Sequence, residues 1–153
     1  MFPKRIIWQL YPSYLLITIL SLLAVTWYAT SALRTLYMDA LAQDLETRAR
    51  VIERRLLQND RTLTIASCDP ICQSMRDILK CRITIILPDG QVIGESDKNP
   101  EDMENHRNRP EIMQALQGVV GREIRHSDTV NQYMMYIAVP VRNPRTGERA
   151  VIR

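Results

Sequence analysis

Apolar and polar positions divide the chain near residue 33. From Ile6 to Leu33, 28 residues pass without an Asp, Glu, Lys or Arg, and Leu15–Val25 (LLITILSLLAV) is the densest part. About 20 apolar residues in a helix cross the roughly 30 Å hydrocarbon layer of a bilayer, and a single run can satisfy its backbone in lipid only as a helix. Trp8, Tyr11 and Tyr14 mark one end, Trp27 and Tyr28 the other, as interfacial aromatic residues do. A cleaved signal peptide would have an apolar core of about 7–15 residues, shorter than this one. The pattern predicts an uncleaved transmembrane helix over residues 6–33. Lys4 and Arg5 flank its N-terminal end, and basic flanks stay cytoplasmic. Residues 1–5 are then expected inside, and residues 34–153 in the periplasm or cell exterior, anchored in inner-membrane lipid.

Beyond Leu33 the apolar positions keep a helical period. Leu33, Leu36, Tyr37, Ala40, Leu41, Leu45, Ile52 and Leu56 fall on one face, with no Pro or Gly separating them from the membrane segment. One helix is therefore expected to run out of the bilayer for several turns, either as a rod that transmits motion or as a spacer packed on its own domain. A stripe identifies the buried face and not what moves.

The rest reads as short elements. Residues 59–67 form a connection. Asp69 as N-cap and Pro70 at the first helical position open a helix to about Lys80. Arg82–Leu87 is a β-branched strand, Pro88-Asp89-Gly90 a turn, and Gln91–Glu95 the returning strand of a hairpin. Ser96–Asn108 is a polar loop. Pro110–Gln117 is a helix with Ile112, Met113 and Leu116 inward and Gly118 as its stop. Arg122–Ser127 and Gln132–Val141 read as strands around an Asp128–Asn131 turn. The second is apolar on both faces, which places it at the centre of a covered sheet. After Asn143–Gly147 a last strand, Ala150–Ile152, is expected to be incomplete, as though cut inside the sheet. The fold class is α+β: a transmembrane helix continuing into a long helix, then an antiparallel sheet with short flanking helices.

Composition adds exclusions. With 46% hydrophobic and 24% charged residues, five Gly, eight Pro and three Cys, the chain is neither collagen-like, nor low-complexity, nor a disulfide-dense miniprotein. Its net charge of +3 includes Lys4 and Arg5; the part after residue 33 holds 18 basic and 17 acidic residues, a net of +1. No basic patch with interleaved aromatic residues points to nucleic acid.

The stretch Arg82–Val141 carries a motif series: Asp89-Gly90, Glu95-Ser96, Asn105-His106, Arg109-Pro110-Glu111, Ala115-Leu116-Gln117-Gly118 with Gly121, Arg125-His126-Ser127-Asp128-Thr129, and Tyr136-Ile137-Ala138-Val139-Pro140-Val141. It resembles the extracytoplasmic sensory domain of bacterial membrane-bound sensor histidine kinases, especially phosphate-regulon-type sensors. Trp8-Gln9-Leu10 and Leu45-Glu46 extend the likeness. The resemblance implies a PAS-like (Cache-type) fold between two membrane helices. It also implies a homodimer, a cytoplasmic kinase region using ATP and Mg, and phosphotransfer to a response regulator. Neither His106 nor His126 stands in a phospho-acceptor context, and no glycine-rich nucleotide box is present, so these 153 residues are expected to hold no catalytic residue, cofactor or metal of their own. The same input could serve a chemotaxis receptor or cyclic-dinucleotide synthase. A tethered binding or assembly protein without kinase output is the reading from another class.

Arg107, Arg109, Glu111, Arg125, Ser127 and Thr129, with Tyr136, form the most polar motif-bearing region. They suggest a site for an anion or small carboxylate, since Arg presents a planar fork of donors. The other reading pairs Arg109 and Arg125 with Glu111, Asp97 or Glu123 to pin a loop. The partner outside the membrane, small molecule or protein, is unspecified by the sequence. Tyr133, Met134, Met135 and Tyr136 are either pocket lining or core. His106 is either a pH-responsive group or a loop residue bonded to backbone. Cys68, Cys72 and Cys81 fit no common zinc spacing. An oxidising exterior permits a disulfide. A helix would hold Cys72 and Cys81 about 13 Å apart, too far for a bridge, which leaves Cys68–Cys72 as the local pair, or three reduced thiols.

Overall fold

The computed structural model describes the backbone of residues 4–58, 62–127, 131–144 and 146–153, and the side chains of 10–58, 62–126, 131–144 and 146–153. Helix α1 is Lys4–Gln58, and the chain divides into compact units 1–41 and 42–153. In the first unit the apolar side chains point outward: Leu16, Leu22, Leu23, Trp27 and Tyr28 are all exposed. The hydroxyls of Ser13, Thr18, Ser21 and Thr30 donate to carbonyls three or four residues back. These four hydroxyls are thereby satisfied inside the helix, as a lipid environment favours. The helix is long and apolar enough to cross a membrane.

The second unit is built on a five-stranded antiparallel sheet: β1 (Thr84–Ile86), β2 (Val92–Glu95), β3 (Gly121–Ser127), β4 (Gln132–Arg142) and β5 (Arg149–Ile152), in the order β2-β1-β5-β4-β3. Alternation along the strands makes two cores. Ile85, Ile137, Val139 and Ile152 face Ala49, Ile52 and Leu56 of α1 and Cys68, Ile71 and Cys72 of α2 (Ile65–Leu79). Their neighbours Ile86, Ala138 and Val151 turn to the other face, against Ile112 and Ala115 of α3 (Pro110–Leu116).

Several expectations from the sequence are corrected. Helix α2 starts earlier, with Thr64 as N-cap; the Thr64 N–H donates to Ser67 Oγ at 3.0 Å. Asp69 and Pro70 therefore lie inside it. Asp69 instead links two elements: one carboxylate oxygen accepts from the Glu95 N–H at 3.1 Å and the other from Gln73 Nε2 at 2.7 Å. The central strand is β5, not β4. It bonds β1 on one side and β4 on the other, while Tyr133 near the start of β4 is 79% exposed. Met113 is exposed, and the α3 face turned inward carries Glu111, Ile112 and Ala115. The Cys68–Cys72 bridge is not formed, and both are buried thiols. Residues four apart on a helix hold their Cβ atoms about 5–6 Å apart, beyond the roughly 3.5–4.5 Å a disulfide needs. Burial raises both thiols' pKa, so they are unreactive packing groups.

Helix α3 lies hard against the start of β3. A Cβ on Gly121 would collide with the Glu111 carbonyl oxygen. Gly121→Ala is expected to destabilise the domain by about 1–3 kcal/mol, the usual cost of overpacking, read as a lower midpoint in urea unfolding of the detergent-solubilised chain.

Candidate ligand-binding site

The β1–β2 turn sets the site. Gly90 has φ +92° and closes the turn through its N–H to the Leu87 carbonyl at 2.9 Å. A side chain there would be strained and would collide with Asn105 Oδ1. The loop beyond β2 consequently rests on the turn. The His106 N–H donates to the Gly90 carbonyl and Asn105 Nδ2 to the Asp89 carbonyl, each at 2.9 Å. Asn105 Oδ1 accepts from the Arg107 N–H at 2.9 Å. The sequence motifs Asp89-Gly90 and Asn105-His106 are thus two halves of one junction. The loop then enters α3, with Arg109 at its N-cap and Pro110 in its first turn, and this fixes where Arg109 and Glu111 point.

A polar cavity of about 470 Å³ opens there, lined by Arg82, His106, Arg109, Arg125, Tyr136 and Arg153, with Lys98, Asp102 and Glu104 also at its wall. Two fully buried carboxylates counter part of this charge. Glu95 is saturated: Arg82 donates from Nε at 2.9 Å and Nη2 at 3.2 Å, Thr84 Oγ1 at 2.9 Å and the Asp97 N–H at 3.2 Å. Glu111 Oε1 lies 3.4 Å from both Arg125 Nη2 and Arg153 Nη1. Both of these guanidinium groups sit over the Tyr136 ring, at 4.3 and 5.1 Å from its centroid. Arg109 makes no side-chain hydrogen bond or ion pair among the described residues.

Four guanidinium groups thus meet two buried carboxylates. Burial drives the Arg153 pKa down to about 10, opposed by Glu111 and reinforced by Arg109, Arg82 and Arg125. Burial and the neighbouring Arg125 likewise lower Arg109. His106, 2% exposed, is pushed down to about 4 by burial and then by Arg153 and Arg109. Burial disfavours positive charge in these three groups, whereas at Arg82 burial is outweighed by Glu95, which raises it.

Of the residues singled out from the sequence, the fold brings Arg109, Glu111, Arg125 and Tyr136 together. Arg107 is exposed and does not line the cavity. The Ser127 side chain and Thr129 lie outside the described residues. Asp97 pairs with Arg76 at 3.1 Å and not with either motif arginine. Arg82, Arg153 and Glu95 were missed by sequence reasoning. Their signal was strand alternation: Arg82 and Thr84 are interleaved with Ile83 and Ile85, and Arg153 follows Ile152. Met134 and Met135 line a second cavity of about 230 Å³ between residues 45–52 of α1 and the sheet, and Arg82, Tyr136 and Arg153 border both. Among the described residues no group of three or more His, Cys, Asp or Glu is placed to hold a metal ion.

Removing one partner of a buried ion pair costs about 3–5 kcal/mol. Glu95→Ala is expected to lower stability by about that amount, while Arg76→Ala, which breaks a pair with side chains 54% and 35% exposed, costs less than about 1 kcal/mol; chemical denaturation distinguishes them. His106 adds a pH dependence. Its folded pKa lies below the ordinary 6.5, so between about 6.5 and about 4 the unfolded chain binds a proton that the native state does not. Stability from this group is full above about 6.5 and is lost as pH falls toward about 4. The melting temperature should decline over that window, and His106→Gln should flatten the decline.

Residues 36–150 match the sequence family described as single Cache-like. No curated protein and no solved structure matches the chain significantly. The family match agrees with the antiparallel sheet, the helix packed on one face and the cavity on the other. The chain belongs to the single Cache-like family, a type of extracytoplasmic sensor domain.

Proposed function

We propose that the domain binds a small organic anion in the arginine-lined cavity, and that this is the input step of a membrane-anchored sensor histidine kinase. The observation that supports the first part is the convergence of four half-buried guanidinium groups on one cavity, with Arg109 in no hydrogen bond or ion pair among the described residues. Charge-assisted, planar donation is what a carboxylate best receives. The sheet supplies a route for the signal. Arg153, Tyr136 and Arg82 face the ligand cavity, and the next residues along the same strands, Ile152, Ile137 and Ile83, pack toward residues 42–58 of α1. An anion that draws the arginines inward shifts the strands on which the helix rests.

The second part rests on the motif series from Asp89-Gly90 to Pro140-Val141. In this reading the N-terminus lies in the cytoplasm and the domain outside the inner membrane. The protein is a homodimer, and a cytoplasmic region outside these residues uses ATP and Mg to phosphorylate its own histidine and then a response regulator. The experiment is autophosphorylation of the parent protein in proteoliposomes with and without organic acids inside or outside. Acid-dependent phosphoryl incorporation is expected from the sensor side only. A parent that takes up no phosphate from ATP overturns the kinase output.

Binding has its own check. Calorimetry of the chain in nanodiscs should find an organic acid that binds, and Arg109→Ala should weaken it by about 10–100-fold, the worth of hydrogen bonds to a charged group. The melting temperature of that variant should fall little, because Arg109 holds no hydrogen bond or ion pair and loses only longer-range attraction to Glu111 and Glu104.

A further inference from the structure

The sheet is notched beside β4. On one side β3 pairs with β4 from Gln132 to Ala138, whereas on the other β5 covers only Val139 to Arg142. On that second side Gln132–Ala138 meet no strand among the described residues. Strand β1 stands beyond β5, so past the end of β5 the notch is bounded by β1 and β4. It is two inter-strand spacings wide, about 9–10 Å, which is room for one strand.

The backbone groups along its edges follow from alternation. In an antiparallel ladder the N–H and carbonyl of a residue serve the same neighbour, and successive residues alternate between neighbours. Arg153 exchanges both bonds with Thr84 of β1, at 2.7 and 2.8 Å. Ile152 therefore serves Val139 of β4, its register partner. The same alternation along β4 turns the N–H and carbonyl groups of Ile137 and Met135 into the notch. On the opposite wall, the N–H and carbonyl of Arg82 have no hydrogen bond among the described residues. Ile137 is buried, and buried backbone groups are nearly always paired. Beneath the notch lies the cavity on the α1 side, floored by Leu45, Ala49 and Ile52.

We propose that the notch is the docking site of an extended segment of the parent protein, the one that follows Arg153, which lengthens β5 by one residue each for Ile137, Arg82 and Met135. Its first and third residues bond Ile137 and Met135, and its second bonds Arg82. Side chains alternate across a sheet. The first and third therefore continue the face of Ile152 and require apolar side chains against Leu45, Ala49 and Ile52. The second continues the face of Arg153 and requires a polar side chain beside Tyr136 and Arg82. A strand meets the backbone groups of both walls at once, which an apolar molecule held in the α1-side cavity does not. The segment then stands between the two cavities, against Tyr136 on one side and α1 on the other. The proposal shares with the reading above only a parent longer than these residues; neither the anion site nor the kinase output enters it.

The test is hydrogen–deuterium exchange of the parent in nanodiscs, read at single amides. Tyr136, whose backbone serves β3, is the internal reference. In the parent the Ile137 and Met135 amides should be protected to within about tenfold of Tyr136, as members of one cooperative sheet are. In the chain ending at Arg153 they should exchange at least about 100-fold faster than Tyr136. Appending valine, threonine and valine after Arg153 should restore the protection, and threonine, valine and threonine should not. Fast exchange of Ile137 and Met135 in a parent whose Tyr136 is protected overturns the inference, even if the shorter chain fails to fold. Protection in the parent that weakens on dilution assigns the notch to a second copy and also overturns it. So does equal protection by the two appended tails. None of these outcomes bears on acid binding or on phosphoryl uptake.

Discussion

The domain depends on the pairing of one short strand. Only four residues long, β5 is hydrogen-bonded to β1 on one side and β4 on the other, and the backbone of Arg153 exchanges bonds with Thr84 at 2.7 and 2.8 Å. Because side chains alternate across a sheet, this strand sends Ala150 and Ile152 into the core shared with α1 and α2, and Val151 and Arg153 to the face covered by α3. A slip of one residue would exchange the two sets and put a guanidinium group into the isoleucine core. The apolar core therefore fixes the register, and the register in turn places the charges of the cavity.

Those charges would destabilise the fold if they were left bare. Two of the arginines share Glu111 and lie over Tyr136, and Arg82 is neutralised by Glu95, whose carboxylate is filled by four donors. Arg109 differs. It sits at the mouth of α3, where Gly90 and Gly121 allow loop and helix to approach the sheet at distances that a side chain would forbid. Part of the packing is thereby devoted to holding positive charge that the protein itself does not fully neutralise. Arg109 is half-buried and is attracted by Glu111 and Glu104 without an ion pair to either.

The two sheet faces divide the tasks. One is apolar and packs the helices, including both thiols of α2, which burial keeps protonated and inert. The other carries the polar cavity. They are connected by single peptide steps, Ile83 to Arg82 or Ile152 to Arg153, so a displacement of a cavity side chain reaches the helical core without any intervening element. Close-packed interiors transmit such shifts because they have little free volume to absorb them.

The sequence by itself determined the local elements. A run of 28 uncharged residues specifies an apolar helix, the three-and-four spacing continues it, and Pro-Asp-Gly closes the hairpin, because each depends on neighbours a few positions away. It also named Arg109, Glu111, Arg125 and Tyr136 through their motifs. Only the tertiary structure decided the rest. Arg82, Glu95, His106 and Arg153 come from four separate segments, and no periodicity relates them until β1, β2, β4 and β5 pair. The place of β5 at the centre could not be read from its own four residues, since burial on both sides is a property of its neighbours. Asp69 shows the same limit: its type suits a helix cap, yet its carboxylate is taken by a strand 26 positions away. Spacing along the chain sets what a residue can do, and the partners brought to it by long-range pairing set what it does.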